Sequence, residues 1–410
     1  MRNSFFDIIV VGGGTAGVSA AISAAREGCN VAIIEKESNL GGLAVFAEVG
    51  TICGVYKYSM NSNFEYNVGL YAESFTEELK SLSKSSPIKG ESGLKFLPYV
   101  PKLLASQCTL RLKKNKVNIF LNSKLSNVSI INNSINKITF EKKGVFLDLK
   151  CLAVIDSTGK SLVSRFLKLQ LIPTLFKQSA SQIFTLSNLK FKSELNLRLV
   201  IMRAIKRGVL DGELKEDCSK LYPVPGSFKM GEGSSKITVP QEINQDTDAL
   251  QSSALFAVHN IFTFLRSNVD GFLDSKLKSI APKVGVRVDD RPVGKYILAS
   301  KDVLSCYKPK DFIAYGNWPI EIWSQKRRVE IRRFRENDYY GISAKSLISN
   351  SVNNLFFAGR NISATDTAIA SARVIGTCLQ TGYASGKLAV GKLNDDKILK
   401  TISNIQKEQF

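Results

Sequence analysis

Residues 6–36 read FDIIVVGGGTAGVSAAISAAREGCNVAIIEK, and their pattern decides the fold. Phe6–Val11 is an apolar run of strand length, followed at once by glycines at 12, 14 and 17. Residues 15–27 are alanine-rich with helical spacing, and a second apolar run, 30–34, ends at Glu35. Strand, glycine turn, helix, strand is the setting in which G-x-G-x-x-G signals a dinucleotide site. Gly12 permits the tight turn, and Gly14 lets the backbone approach a diphosphate. Gly17 lets the helix lie close on the sheet, with Ala20, Ala21 and Ala24 as small packing partners. Thr15 and Ala16 open the helix, whose free N–H groups and dipole then face the phosphates. Glu35 at the strand end suits two ribose hydroxyls and repels the 2′-phosphate of an NADP-type ligand. This stretch alone leaves NAD and FAD open.

The 410 residues are 44% apolar and 22% charged, an ordinary globular composition with room for two or three domains. No run of 18 apolar residues exists, so no membrane span is expected. The first strand begins too early to leave room for a cleavable signal peptide. Seven cysteines are scattered without a CxxC pair, which predicts reduced thiols, no zinc site and a cytoplasmic location. Cys53 and Cys378 read as packing residues in preference to thiols acting beside a cofactor. The single histidine, His259, lies in DALQSSALFAVHNIFTFLRS and is expected to be satisfied and partly buried. Its solitude argues against a Ser–His–Asp triad and excludes a histidine-rich metal site. The net charge of +20 suits an anionic substrate, an acidic carrier protein or a nucleic acid. The favoured alternative is a lysine- and asparagine-rich solvated surface. The densest basic run is QKRRVEIRRFREN, residues 325–337.

From Asn39 the chain reads NLGGLAVFAEVGTICGVY, where Gly41 and Gly42 allow close backbone approach to a cofactor. Short strands from Val117, ending in VFLDLKCLAVIDSTGKS, predict a β-meander closed by a glycine turn at Thr158 and Gly159. Proline-punctuated strands and helices then alternate to about Tyr340. The expected architecture is α/β: a Rossmann-like dinucleotide-binding domain with a parallel sheet and β-meander, plus an inserted α+β substrate domain. The expected bounds are 1–168 and 341–410 for the two parts of the nucleotide domain, and 169–340 for the insertion. No second G-x-G-x-x-G accompanies a strand–helix pair, so a separate NAD(P)H domain is not expected.

The last segment chooses between cofactors. NNLFFAGRNISATDTAIASARVIGTCLQTGYASGKLAV, residues 353–390, is a buried strand running into Gly359 and Arg360, then a long helix of small residues. With the N-terminal motif it resembles two-part FAD sites, in which an AGR strand and helix reach the diphosphate and the isoalloxazine. APKVGVRVDDRPVGKYILASKDVL, IAYGNWPIEIW and GYASG extend the resemblance to the bacterial FAD-dependent oxidoreductase family over roughly half the chain. That family is distantly related in fold to fumarate-reductase-type flavoproteins. The resemblance implies FAD, held by Gly12, Gly14, Thr15, Ala16, Gly17, Glu35, Lys36, Gly41, Gly42, Thr158, Gly159, Gly359, Arg360 and the backbone of Arg373, Val374, Ile375 and Gly376. Leu125 is a further backbone contact expected at the adenine. This chain departs from the family's pattern at Trp323 and Asp366, where relatives usually carry histidine.

For the chemistry, Arg287 and Arg291 are candidates to clamp an anionic substrate or stabilise reduced flavin. The competing reading pairs them with Asp289 and Asp290. Arg373 is a candidate to stabilise negative charge on the reduced ring. Tyr296, Trp318 and Asp366 are pocket candidates, with Asp366 as a base or as the cap of the helix after it. The favoured activity is hydride transfer from a small organic substrate, anionic or carrier-bound, to flavin N5. The alternatives are a flavin monooxygenase, a tRNA-binding flavoprotein and a flavin-binding protein without catalysis.

Overall fold

The computed structural model describes residues 4–90, 93–175, 178–241, 246–324 and 329–410. The chain opens with the strand Ser4–Val11, the helix Thr15–Arg26 and the strand Val31–Ile34. The two strands run parallel, with Ile8 opposite Val31 and Val11 opposite Ile34. Side chains alternate across the first strand. Ile8 and Val10 pack with Val18, Ala21 and Ile22 of the helix, whereas Ile9 and Val11 share a core with Leu125, Phe140 and Val154. Burial on both faces explains why this strand reads as a continuous apolar run.

The meander consists of Ser123–Ile131, Ser134–Lys142 and Val145–Asp156, each antiparallel to the next. Its two-residue turns, Asn132–Asn133 and Lys143–Gly144, hold both residues at positive φ, the geometry that matches the twist of a hairpin. The third strand serves twice. Its first half pairs with the meander, and Leu149–Asp156 runs parallel to the opening strand. Leu355–Phe357 returns from the far end of the chain to pair parallel with its last residues. With Asn118–Phe120 beside Val31–Ile34, this makes a seven-stranded mixed sheet.

A second sheet is ordered Leu221–Pro223, Gly233–Val239, Ala180–Ser187, Lys276–Ile280. The helices Glu194–Leu210 and Thr247–Asn268 pack on it through Leu197, Ile201, Ile205, Leu250, Val258 and Ile261. Side chains of Ser193 and Asp246 cap the two helices. His259 is exposed, which corrects the expectation of partial burial. The buried stripe on its helix runs Leu250, Ala254, Val258, Ile261, Leu265, and His259 falls outside it. Of the segment expected as the insertion, this second core draws on residues between Ala180 and Val286. Val288, Leu298, Ile313, Ile320 and Tyr340 pack into the core around the first helix.

The closing helix, Ile375–Leu393, lies along the first helix. A Cβ at Gly382 would stand 2.1 Å from the Ala16 carbonyl oxygen, and one at Gly386 2.3 Å from that of Ala20. The Ser23 hydroxyl donates across the same seam to the Tyr383 carbonyl at 2.7 Å. Among the described residues no helix is long and apolar enough to cross a membrane. All seven cysteines are free.

Gly382→Val should lower unfolding stability in urea by about 2–3 kcal/mol, the cost of overpacking a tight interior contact. Leu399→Ala, at an exposed position, should stay within about 0.5 kcal/mol.

Candidate functional site

The glycines of the first motif divide by geometry. Gly12 has φ +103°, and a Cβ there would meet the Ser157 carbonyl at 2.7 Å. A Cβ at Gly17 would lie 1.9 Å from the Gly12 carbonyl oxygen, so the helix abuts the turn itself. Gly14 is different. Its φ of −67° and ψ of 175° suit any residue, and nothing stands within 4 Å of where a Cβ would be. The space beside it is floored by Gly41 and Gly42. Gly41 N–H donates to the Gly13 carbonyl at 2.8 Å, and Gly42 approaches the Gly14 backbone.

Glu35 is 6% exposed and accepts from the N–H groups of Gly13 at 2.5 Å and Glu37 at 2.9 Å. Burial pushes its carboxyl above the ordinary range, and the two N–H donors oppose that shift. Lys36 is exposed, 3.6 Å from Glu37. Ser123 N–H donates to the Glu35 carbonyl at 2.9 Å, which brings the strand carrying Leu125 alongside.

The end of the long strand is organised by Asp156, a residue absent from the expected set. Fully buried, it accepts from Thr158 N–H (3.0 Å), Thr158 Oγ1 (2.8 Å), Val163 N–H (3.0 Å) and Asn361 Nδ2 (2.5 Å). Asn361 Oδ1 in turn accepts from Ser161 N–H at 3.2 Å. One carboxylate thus ties the Thr158–Gly159 turn to the Gly359–Arg360 segment. Arg360 covers Gly159, where a Cβ would lie 2.4 Å from its guanidinium. Gly359 at φ +66° packs on Ala16, so both halves of the glycine framework meet at one alanine.

Arg291 and Asp366 are brought together, but as a buried support. Arg291 is 1% exposed, and its Nη2 lies 2.7 Å from Asp366 Oδ1. Its other N–H groups reach the carbonyls of Ala364, Asp289 and Pro173 and the Thr174 hydroxyl. No N–H of Arg291 is left for a substrate. Asp366 also accepts from Leu175 N–H at 2.6 Å. The cap of helix Asp366–Ala372 is Thr365, which corrects the reading of Asp366 as the cap. The expected pairing of Asp289 and Asp290 with Arg287 and Arg291 is corrected as well. Both aspartates form their salt bridges with Arg165, at 3.1 and 2.7 Å, and act on Arg291 only as weaker nearby charges behind Asp366. The Tyr296 hydroxyl donates to Asp302 at 2.8 Å and braces helix Ser300–Leu304.

Arg373 follows that support. Val374 is extended, and the closing helix starts after it with no side-chain cap although its first turn is buried. A buried helix start without a cap leaves its N–H groups to a ligand. Arg373 Nε and Thr377 Oγ1 are buried there with no hydrogen-bond partner among the described residues. Gly54, at φ +77°, lets Val374 and Gly376 come against it.

Beside this helix start stand further cations that the sequence did not group. Arg373 donates to the Glu321 carbonyl at 3.3 Å, and Trp318 Nε1 donates to Glu321 Oε2 at 2.9 Å. Arg287 donates to the Ser179 carbonyl and lies 4.3 Å over the Trp323 ring. Lys236 lies 4.1 Å over the same ring. Burial and the Arg287 charge push Lys236 down to about 8. Burial, with Arg373 nearby, pushes Arg287 down to about 9, still charged at neutral pH. Burial raises Cys53 to about 12 and Cys378 to about 11, so both are protonated packing thiols. Lys236 gave no sequence signal because it alternates with buried Ser235 and Ile237 like any outward strand residue. Part of the basic run, residues 325–328, lies outside the described residues.

Two uncapped helix starts, an open space at Gly14 and orphaned buried donors call for an extended anion. The diphosphate and ring of FAD fit these features. Among the described residues no group of His, Cys, Asp and Glu is arranged to hold a metal ion.

A family model described as FAD dependent oxidoreductase matches residues 7–409. No curated protein matches the chain. Among solved structures it is similar to a geranylgeranyl bacteriochlorophyll reductase-like protein from Thermoplasma acidophilum, with 11% identity and a TM-score of 0.50. That match covers 98% of this chain and 83% of the other. A triple mutant of the flavin-dependent brominase Bmp2 gives 11% identity and a TM-score of 0.51 over 98% and 84% of the two chains. The anhydrotetracycline hydroxylase OxyS from Streptomyces rimosus gives 8% and 0.51 over 98% and 65%. At these identities the likeness is one of fold.

Gly14→Val should leave the stability of flavin-free protein within about 0.5 kcal/mol, because the residue meets open space in an allowed conformation. Its FAD affinity, read by fluorescence titration, should fall at least about tenfold, or about 1.4 kcal/mol. Gly17→Ala should instead destabilise the fold by about 1–3 kcal/mol. The lowered Lys236 value means that the unfolded chain binds the extra proton between pH 8 and 10.5. Stability from this group therefore rises with pH across that window and is lost as pH falls through it. Lys236→Met should remove that rise from chemical-denaturation curves of the flavin-free protein.

Proposed function

The chain belongs to the FAD-dependent oxidoreductase family, and we propose that it takes a hydride from a small organic substrate onto flavin N5. Oxygen or an external acceptor then reoxidises the cofactor. FAD, when bound, supplies the two-electron acceptor, and the protein supplies binding, orientation and charge. The start of the first helix, with Gly14 and Gly42, receives the diphosphate. Glu35, held by two backbone N–H groups, keeps its remaining lone pairs for ribose hydroxyls.

The observation that carries this reading is the helix start at Val374. Its free N–H groups, the unpartnered Arg373 Nε and the Arg373 charge converge on one place. Donors fixed in advance and shielded from water favour the charge that develops as the ring is reduced. Asp366, committed to Arg291, holds the preceding loop and so positions Arg373. Electron supply by the substrate is the reading in keeping with a single dinucleotide motif on a strand–helix pair.

A second reading, flavin-dependent monooxygenation, draws support from the fold shared with the brominase and the hydroxylase. It differs in a measurable product: oxygen from labelled dioxygen should appear in it.

Purified protein should be yellow and release FAD on denaturation, and anaerobic NADPH should not bleach it. Rapid stoichiometric bleaching by NADPH would instead move the assignment to the monooxygenase. Arg373→Met should keep its FAD and lose about 100-fold in the rate of flavin reduction by substrate, followed by stopped-flow absorbance.

A further inference from the structure

Three half-buried cations gather beside the closing helix, and the cofactor accounts for only one of them. Lys236 and Tyr222 are register partners on adjacent strands of the second sheet, so both face the same way. The Tyr222 ring meets Trp323 edge-on at 5.9 Å. Lys236 and Arg287 both lie over the Trp323 indole, and Arg373 adds to the field at Arg287. One carboxylate stands among them, Glu321, and it already accepts from Trp318. Lys236 donates no hydrogen bond to any described residue, and Arg287 donates one, to Ser179. Like charges held together away from water are costly unless an anion joins them.

We propose that Lys236, Arg287 and Trp323 seat an anionic group of the substrate, a carboxylate or a phosphate. This assignment rests on the flavoenzyme reading above. The elements with a claim on the FAD diphosphate are the first glycine motif and Arg360 over Gly159, and Lys236 belongs to neither. It comes from a sheet with its own core. Arg287 lies over the indole ring, and its N–H groups not spent on Ser179 would donate to an anion's oxygens. Lys236 adds a mobile point charge to the same anion. An anion there also returns Lys236 toward its ordinary, charged state. Surface lysines such as Lys137 and Lys278 are instead paired with carboxylates, Asp148 and Glu232.

The test uses FAD-loaded protein titrated with benzoate, phenyl phosphate and neutral benzyl alcohol, read by flavin difference absorption and tryptophan quenching. One or both anions should give a saturable change that benzyl alcohol does not. The tighter of the two tells carboxylate from phosphate. Lys236→Met should weaken the anion at least tenfold with FAD content unchanged, and Lys236→Arg should retain most of the affinity. An equal response to benzyl alcohol, or wild-type affinity in Lys236→Met, overturns the assignment. So does loss of FAD from folded Lys236→Met, which would give these cations to the cofactor. Failure of wild-type protein to take up FAD at all would instead overturn the flavoenzyme reading itself.

Discussion

Everything at the site depends on the backbone-to-backbone contact between the first helix and the closing helix. Ala16, Ala20 and Ser23 on one side, with Gly382 and Gly386 on the other, leave no room for a single added methyl group. The contact joins segments more than three hundred residues apart, so its loop-closure entropy is spent only once the intervening chain has folded. In return it places two helix starts and two glycine turns around one space. Asp156 completes the join by binding Asn361 from the returning segment and Thr158 from its own strand end.

Charge is distributed with the same division between support and site. Arg291 is fully bonded, and its pairing with Asp366 turns a buried guanidinium into a structural pin. Breaking one partner of such a pair leaves an uncompensated buried charge, typically a loss of about 3–5 kcal/mol. Arg373 and Thr377, a few residues on, keep donors unbonded. Other buried polar atoms are unpaired as well, but here two unbonded donors stand at one uncapped helix start, an arrangement that a ligand would satisfy.

The cations around Trp323 belong to the open category. They lie where the second sheet approaches the nucleotide-binding core, and each comes from a different stretch of chain. Their effect on Lys236 is mutual repulsion added to burial, the combination that an incoming anion relieves. On the proposed reading, the glycine framework would hold the cofactor and the second sheet would contribute the charge that recognises an anion.

By itself the sequence determined the features that arise within a few neighbouring residues. The apolar strand, the glycines at 12, 14 and 17, Glu35 at the next strand end, the meander and the AGR segment were all legible from local spacing. Tertiary structure alone decided which charges meet. Asp289 and Asp290 lie beside Arg287 and Arg291 in sequence, yet both form salt bridges with Arg165, and Arg291 bridges to Asp366. Lys236 looked like any outward strand residue until Trp323 and Arg287 were folded against it, and His259 was misplaced by its apolar neighbours. Hydrophobic period and turn chemistry act over one helical turn or one hairpin, so sequence carries them. Coulomb interactions and side-chain packing depend on distance in space, and only the closed fold sets those distances.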